Sequence, residues 1–525
     1  MKVRVKNAAA SAPVAVVDIG STFLRLIIAE KRGEREYRVL ERAVQSAPIG
    51  RDIVMHRRVT TATIEQCAEI LKRFRILLDE YGISPESVKA VASAAVRQAG
   101  NCEAFLDRLS IASHIAFHML DPGQIGYYYH LAFRSIHDRQ ATWEKGGAVV
   151  MEIGGLTCGL LYRKENEIRF AQTYSVGSLR IREQMEIAGL AQKQLEDLVE
   201  GRTREMAIHL RQNIGDEKIK LLLMGREMRF AAAHLRAEAA TDTSVATGIT
   251  RIAVSELRSL SRKLLSKSVD EVVRTWQLSY SDAELLSPTL CMALSVADTL
   301  TLKDVYVSNL SFSDGLLVEA LDGPAWATTM MRHVVRIARE TGEKYLYDAR
   351  HAEQVTSIAL SIFDVLRAEH GCSERHRLLL EVAGILRDIG VVVNARSHHM
   401  HSMYLIRNTE FTGLSTAEIS LIALVARYHR KAPPQSSHPE YAGLRHEDRL
   451  IVCKLAAILR VADALDRVHD QSLGHLRFEL EADALNCIPE RPVGISAEQV
   501  ALVEKGDLFE TIYGRRCFVR SPHPQ

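Results

Sequence analysis

Apolar runs interrupted by short polar turns open the chain. Residues 14–17 form an apolar run that predicts a buried strand, and residues 24–29 form a second run that predicts a returning strand. The segment between them reads Asp-Ile-Gly-Ser-Thr, which is typical of a tight turn. Residues 147–161 repeat this order, with an acidic residue, Ile-Gly-Gly and a threonine between two apolar runs. The pattern therefore predicts two similar β-hairpins.

Strand and helix patterns alternate as far as about residue 320. We expect strands up to about residue 60 with a turn at 48–50, and an amphipathic helix over 61–81. A turn at Pro122-Gly123 is expected to lead into a helix that ends near residue 134. Further strands are predicted at 88–92, 168–174, 219–224 and 304–309, and further helices up to 109, at 179–213 and at 289–299. The alternation indicates an α/β architecture in two lobes.

The pattern changes after about residue 325. Residues 326–469 show helical periodicity and almost no strand signal, whereas 475–480 predicts a strand and 496–502 a helix. This indicates an all-α domain followed by a small α+β cap. The predicted organisation is a flexible leader, a first lobe, a second lobe, a helical domain and the cap, at 1–13, 14–134, 135–324, 325–470 and 471–525.

Composition adds limits rather than a function. The chain has 525 residues, too many for one core, and a net charge of +2, so an anion must be bound by a local basic patch. The eight cysteines are scattered without a C-x-x-C pair, which favours a reduced cytoplasmic protein. No apolar run is long enough to span a membrane, and nothing points to a specific nucleic-acid partner.

The two turns carry residues that suit phosphate. Glycine lets the backbone approach a ligand, and hydroxyls with neighbouring amides can donate to phosphate oxygens. Asp18 and Glu152, which precede the turns, could hold a cation such as Mg²⁺. An ordinary hairpin with a polar turn is the alternative for either segment alone. The candidate phosphate-binding residues in the turns are Gly20, Ser21, Thr22, Gly154, Gly155 and Thr157.

Several segments in a fixed order resemble one known family. They read AVVDIGSTFLRL, AVASAAVRQAGN, EIGGLTCGLL, SVGSLRI and SDGLL, followed in the helical part by LLEVAGILRDIG, LVARYHRKA and ILRVADALDR. This set resembles the exopolyphosphatase / guanosine-pentaphosphatase (Ppx/GppA) family over nearly the whole chain. The resemblance implies two actin/Hsp70/sugar-kinase-like (ribonuclease H-like) lobes and an HD-phosphohydrolase-like helical domain. It also implies removal of terminal phosphates from polyphosphate or guanosine pentaphosphate (pppGpp) with Mg²⁺, and it gives Arg97 a phosphate-binding role.

The same alignment of motifs shows departures from the family pattern. Gln124 stands where the family has its general-base glutamate, and an amide cannot accept and release a proton near neutral pH. Leu156 replaces a glycine, which is expected to narrow the phosphate site, and Gly159 replaces a glutamate. Only Gly225 remains of a glycine-rich loop, so a purine-nucleotide site is not expected. These departures predict binding with slow hydrolysis.

The helical domain carries histidines and acids that invite a metal interpretation. His351, Asp388 and Asp463 match parts of an HD centre, but Arg387 replaces the histidine of the His-Asp pair and would repel a cation. Ordinary histidines at helix ends are the alternative, and metal hydrolysis is not expected. A second hypothesis is a polyanion groove, or else a solvated charge run, formed by Arg427, His429, Arg430 and Lys431 with His399.

Two hypotheses for function remain at this point. The first is an exopolyphosphatase-like hydrolase in which Mg²⁺ lies near Asp18 and Glu152, and Glu152 replaces the missing base. The second is a binding or regulatory protein of the same fold that holds polyphosphate or guanosine penta- or tetraphosphate with little turnover. A sugar-kinase-like phosphotransferase is weaker because of the single glycine at 225. A homodimer is compatible with either hypothesis.

Overall fold

The computed structural model describes residues 12–33, 37–137, 146–165, 167–239, 248–322 and 327–521. They divide into two compact units, Met1–Met330 and Met331–Gln525, which are called the first and second unit below. Nearly all of the leader expected at 1–13 lies outside the described residues. Among the helices that are described, none has both the length and the apolar composition that crossing a bilayer requires.

The first unit begins with a five-stranded mixed sheet. Its strand order is β3-β2-β1-β4-β5; β1 runs antiparallel to β2 and parallel to β4. The antiparallel pairing of β1 with β2 is the first hairpin that the sequence predicted. The strands are β1 Val14–Ile19, β2 Phe23–Lys31, β3 Tyr37–Ser46, β4 Lys89–Ala92 and β5 Phe117–Met119.

Four helices accompany this sheet. The prediction of a helix at 61–81 is confirmed, but the prediction of strands up to residue 60 is wrong beyond Ser46, because a helix begins at Ile49. Pro48 precedes that helix, and Ile49 and Ile53, one turn apart, are both buried in the core. The helices are α1 Ile49–His56, α2 Thr61–Glu80, α3 Cys102–Ser113 and α4 Pro122–His137.

A six-stranded sheet forms the rest of the first unit. Its order is β10-β11-β9-β6-β7-β8, and the antiparallel pair β6–β7 is the second predicted hairpin. The strands are β6 Gly147–Ile153, β7 Cys158–Lys164, β8 Glu167–Tyr174, β9 Ile219–Met224, β10 Ile249–Ala253 and β11 Asp304–Ser308. The helices are α5 Ser178–Ile187, α6 Leu195–Ile214, α7 Arg226–Ala239, α8 Val254–Leu265, α9 Val269–Trp276, α10 Tyr280–Thr299 and α11 Phe312–Asp322.

Side chains from the turn of the second hairpin, from α5 and from α10 complete the core of the first sheet. Leu156, Leu179 and Leu285 are buried in the same apolar cluster as Val17 and Leu26. Burying this apolar surface stabilises the contact between the two sheets of the unit. Leu156 therefore points into the core, and the expectation that its side chain narrows a phosphate site is wrong.

The second unit is helical as far as residue 464. Its helices are α12 Ala327–Lys344, α13 Ala349–Val365, α14 Arg367–His370, α15 Glu374–Leu386, α16 His398–Arg407, α17 Thr416–Arg427, α18 Pro439–Ala442 and α19 His446–Ala464. The second unit begins at Met331, so it contains α12 from that residue onward and all of the later helices. This agrees with the helical periodicity of the sequence.

The end of the second unit has more structure than the sequence pattern indicated. A three-stranded sheet in the order β12-β13-β14 is accompanied by two helices. The sequence predicted β12 and α20, but not the other three elements. All six residues of β13 are buried, so the strand shows no alternation of polar and apolar positions. The elements are β12 Leu476–Leu480, β13 Ala484–Pro489, α20 Ser496–Lys505, α21 Asp507–Tyr513 and β14 Arg516–Val519.

Candidate functional site

The turns of the two hairpins meet at one cavity in the first unit, called the cleft below. A side-chain carbon built on Gly155 would lie 2.7 Å from Ser21 Oγ and 2.8 Å from Thr22 Oγ1. The two turns, which the sequence shows only as similar hairpin turns, therefore face each other. The lining includes Asp18, Gly20, Ser21, Thr22, Arg25, Ser93, Ile125, Tyr129, Glu152, Gly154, Gly155, Thr157, Ser178, Arg226 and Glu227.

Matching backbone hydrogen bonds shape both turns. The amide of Gly20 donates to the Phe23 carbonyl at 2.9 Å, and the amide of Gly154 donates to the Thr157 carbonyl at 2.9 Å. The Ser178 amide, at the start of α5, donates to the Gly154 carbonyl at 3.0 Å. The two hydroxyl-bearing turns are thus held rigidly, with their polar side chains at the cleft.

Asp18 is engaged inside the protein rather than free in the cleft. Its side chain is 2% exposed, Arg25 Nη1 lies 2.7 Å from Oδ2, and the Ser313 hydroxyl donates to the same oxygen at 3.0 Å. Asp18 and Arg25 are direct partners in the β1–β2 register. Sequence reasoning missed Arg25, although pairing the two strands of the hairpin about its turn would have placed it opposite Asp18.

Glu152 is the cleft carboxylate with an uncommitted oxygen. Its Oε2 is buried and has no hydrogen-bond partner among the described residues. Burial raises the pKa of Glu152 from 4.5 to about 7, opposed by the charge of Arg25 and assisted by that of Asp18. A carboxyl that titrates near neutral pH can accept a proton there. Ser93 Oγ, also at the cleft, is a second buried atom without a partner in the described part of the chain.

Tyr129 explains why a glycine stands at position 159. Gly159 is the direct partner of Glu152 in the β6–β7 pair. A side-chain carbon at Gly159 would lie 2.1 Å from Cε2 and 2.4 Å from the hydroxyl of Tyr129, both far inside van der Waals contact. The Tyr129 ring thus occupies the space that a side chain at position 159 would need.

Gln124, which stands at the expected general-base position, does not line the cleft in the described part of the chain. Its Oε1 accepts a hydrogen bond from the Asp121 amide at 3.0 Å, so it closes the first turn of α4. Among the described residues that line the cleft, α4 contributes Ile125 and Tyr129 and not Gln124. In the first turn of α4, the side chain that reaches the cleft is therefore that of Ile125.

Arg97 also lies outside the described lining of the cleft. Its guanidinium forms an ion pair with Asp121 at 2.9 Å and donates to the Leu120 carbonyl at 3.2 Å. Its phosphate-binding role stays a prediction. The arginines that do line the cleft are Arg25 and Arg226, and Arg226 lies over the Phe23 ring at 4.7 Å.

Comparison with known proteins decides the family. The model of the Ppx/GppA phosphatase family matches residues 11–323, and that of its domain III matches residues 335–488. This chain belongs to the Ppx/GppA phosphatase family. The departures that the motif resemblance implies at Gln124, Leu156 and Gly159 stay predictions.

Individual relatives are distant. A guanosine-5'-triphosphate,3'-diphosphate pyrophosphatase of Pseudoalteromonas atlantica is 21% identical over 478 residues, covering 89% of each chain, and one of Aeromonas hydrophila is 21% identical over 481 residues, covering 89% of this chain and 90% of the other. The crystal structure of an exopolyphosphatase from Cytophaga hutchinsonii covers 59% of this chain and 98% of its own, at 17% identity and a TM-score of 0.53. At that identity the structural likeness shows a shared fold and nothing finer.

The cleft of this Ppx/GppA protein does not offer a ready Mg²⁺ site. Asp18 and Glu152 were the expected ligands, and carboxylate oxygens suit Mg²⁺. However, Asp18 is already paired with Arg25, and a guanidinium 2.7 Å from the ligand oxygen repels an incoming cation. The donor set therefore does not fit a resident Mg²⁺ with Arg25 in place, and Mg²⁺ itself stays an untested prediction.

The expected polyanion groove is only partly available on the second unit. Arg427 is buried and forms an ion pair with Glu440 at 2.8 Å, and His429 is 2% exposed. These two residues cannot line an open groove, so the prediction is wrong for them. Arg430 and His399 are half-buried and Lys431 is exposed. For these three a polyanion contact stays a prediction.

Proposed function

We propose that this chain is a phosphoanhydride hydrolase that acts on the terminal phosphate of polyphosphate or pppGpp, with Glu152 as the base. The observation that carries the proposal is the meeting of the two hydroxyl-bearing turns at a cleft that also holds an uncommitted carboxylate. The names of the relatives, a pppGpp pyrophosphatase and an exopolyphosphatase, support this substrate class.

The terminal phosphate would be held by the turns. Ser21, Thr22 and Thr157 present hydroxyls to the cleft, and the unpartnered Ser93 hydroxyl offers a further donor. Arg25 contributes a fixed positive charge beside the phosphate oxygens. Such donors stabilise the charge that spreads over the transferred phosphoryl group in the transition state.

Glu152 would accept the proton of the attacking water. The water oxygen attacks the terminal phosphorus, the bond to the bridging oxygen breaks, and the shortened chain leaves as a phosphate anion. A base with a pKa near 7 matches the working pH better than an ordinary carboxylate does. A general base contributes about 10²–10⁴-fold to such a rate.

The second candidate is a protein of the same fold that binds the phosphate chain and turns it over slowly or not at all. Two observations favour it. Ile125 and Tyr129, rather than carboxylates, reach the cleft from α4, and Arg25 already neutralises Asp18. Both candidates predict binding, and they differ in turnover.

Phosphate release from long-chain polyphosphate and from pppGpp, with and without Mg²⁺, separates the candidates. We expect slow release by the natural protein and a fall of about 10²–10⁴-fold in Glu152→Gln at similar affinity. Glu69→Gln, on the exposed face of α2, is the matched control and should not change the rate.

A parallel binding measurement uses labelled polyphosphate at low salt. Ser21→Ala combined with Thr22→Val should weaken binding. Binding without any release that depends on Glu152 would establish the second candidate. Absence of binding to both ligands would refute both.

A further inference from the structure

Three potential metal ligands converge in the second unit. Asp388 Oδ1 lies 3.0 Å from His398 Nε2 and 3.4 Å from His429 Nε2, and the two Nε2 atoms lie 3.4 Å apart. These three residues are called the histidine cluster below. Their side chains belong to three separate segments, because Asp388 follows α15, His398 opens α16 and His429 follows α17.

Backbone carbonyls fix the tautomers of both imidazoles. His398 Nδ1 lies 3.0 Å from the Ala395 carbonyl oxygen, and His429 Nδ1 lies 2.6 Å from the Ala426 carbonyl oxygen. A carbonyl only accepts, so each Nδ1 must donate its proton. In the neutral rings both Nε2 atoms then carry lone pairs. Metal-binding histidines are commonly oriented by this kind of outer hydrogen bond.

The cluster therefore directs three acceptors at one point. Two nitrogen lone pairs and a carboxylate oxygen repel one another unless a cation lies between them. Ligands at about 2.0–2.2 Å from one metal ion are separated by about 3.0–3.5 Å from each other in tetrahedral or octahedral geometry. The three observed separations fall in that range.

Arg387 explains why only one cation fits. Its side chain is fully buried, its Nε lies 3.0 Å from Asp463 Oδ1, and its Nη2 lies 3.3 Å from Asp388 Oδ2. Lys505 forms an ion pair with the other oxygen of Asp463. Two fixed cations thus lie against Asp463, whose Oδ1 is also 3.6 Å from His351 Nε2. Asp388 Oδ1, on the opposite side, stays directed at the two imidazoles.

Arg430 lies against the His398 ring and does not point along a single lone pair. Its Nη1 is 3.2 Å from Nδ1 and 3.3 Å from Nε2 of that ring. Nearly equal distances to both nitrogens place Nη1 away from the lone-pair direction of each, so a hydrogen bond to either nitrogen is poorly aligned. Arg430 thus adds a positive charge that weakens cation binding and that could pair with an anion.

We propose that Asp388, His398 and His429 bind one divalent transition-metal ion in the second unit. Two imidazoles with one carboxylate favour Zn²⁺, Co²⁺, Ni²⁺ or Fe²⁺ over Mg²⁺ or Ca²⁺. The Asp388 side chain is 23% exposed, so the ion has access to solvent and keeps open coordination positions. The site is separate from the cleft of the first unit and does not depend on the hydrolase proposal.

Titration with Co²⁺ tests this on the full chain after treatment with a chelator. We expect one Co²⁺ to bind per chain. Its visible absorption spectrum should be that of Co²⁺ bound by nitrogen and oxygen ligands, without a thiolate charge-transfer band. The absent band distinguishes the cluster from the eight free cysteines. His398→Gln and His429→Gln should each weaken binding on the order of 100-fold. His401→Gln, on α16 with His398, is the matched control and should bind as the natural protein does.

A gain-of-affinity variant keeps the test decisive if a ligand variant fails to fold. Removing a charge a few ångströms away is worth about 1 kcal/mol in water-like surroundings, so Arg430→Gln should bind Co²⁺ about fivefold more tightly. Absence of stoichiometric Co²⁺ binding by the natural protein would overturn the proposal. The three acceptors would then be held together by a shared proton and not by a metal ion. Equal binding by folded His398→Gln and the natural protein would overturn it too.

Discussion

The cleft and the histidine cluster both place an arginine among carboxylates, with opposite consequences. In the cleft, Arg25 pairs with Asp18, and its charge acts against the burial that raises the pKa of Glu152. In the second unit, Arg387 engages Asp463 and one oxygen of Asp388, and the other oxygen stays directed at two imidazoles. Arg25 thus takes the place of a metal cation beside Asp18, whereas Arg387 leaves room for one beside Asp388.

The comparison teaches that residue identity alone does not tell whether an acidic site binds a metal. The number of acceptors left without a donor after the fixed cations are placed is the better guide. Among the described residues of the cleft, Glu152 has a buried carboxylate oxygen of this kind. The histidine cluster has a carboxylate oxygen and two ring nitrogens.

The largest expected effect concerns Arg387. Arg387→Met leaves buried acids without their partner, and breaking a buried ion pair from one side costs about 3–5 kcal/mol. Chemical denaturation of the natural protein and the variant measures this loss. Arg367→Met, whose ion pairs with Asp364 and Glu374 are exposed, is the control and should cost about 0–1 kcal/mol. Equal losses would show that Arg387 has no special role.

Arg25→Met should have a somewhat smaller effect, about 2–3 kcal/mol, because the Ser313 hydroxyl still donates to Asp18. The variant should also become sensitive to divalent cations, since Asp18 and Glu152 would then share a cleft without a fixed charge between them. Melting with and without Mg²⁺ measures this. If Mg²⁺ stabilises the natural protein as much as the variant, Arg25 is not acting in place of a cation.

A double-mutant cycle tests whether Tyr129 and Gly159 share one space. Gly159→Ala should destabilise the protein by about 1–3 kcal/mol through overlap with the ring. In a Tyr129→Ala background the same change should cost much less, so the coupling energy should be about 1–3 kcal/mol. Gly201→Ala, where an added carbon meets nothing within 4 Å, is the matched control. Additive losses would contradict the shared space.

The smallest effect is a pH dependence of hydrolysis. Glu152 must be ionised to accept a proton, and burial raises its pKa to about 7. The rate should therefore rise about tenfold between pH 6 and pH 8. In Glu152→Gln this rise should be absent. A rate that does not change over this range in the natural protein would mean that another group is the base.

A related variant separates the two positions on α4. Ile125 reaches the cleft and Gln124 closes its own helix turn. We therefore expect Ile125→Glu to raise hydrolysis, and Gln124→Glu to change it little. If Gln124→Glu proves the better variant, as its place at the family's general-base position would suggest, the cleft must rearrange when substrate binds.

Much of this protein could be predicted from its sequence. Both hairpins and the helical second unit follow from local patterns, because a buried strand and an amphipathic helix each leave a distinct apolar period. The family also follows, since an ordered set of short motifs is carried by the chain itself. The roles proposed for Glu152 and for the turn hydroxyls also start from those motifs, and they stay predictions.

Only the tertiary structure decided which side chains face one another. The Asp18–Arg25 pair, the Tyr129 ring over Gly159, the inward direction of Leu156 and the choice of Ile125 over Gln124 all depend on packing between distant elements. From the sequence alone, the fixed positive charge of Arg387 argued against a metal site in the helical domain. The structure directs that charge at Asp463 and leaves Asp388, His398 and His429 together, since electrostatics depends on distance and direction that sequence spacing does not contain.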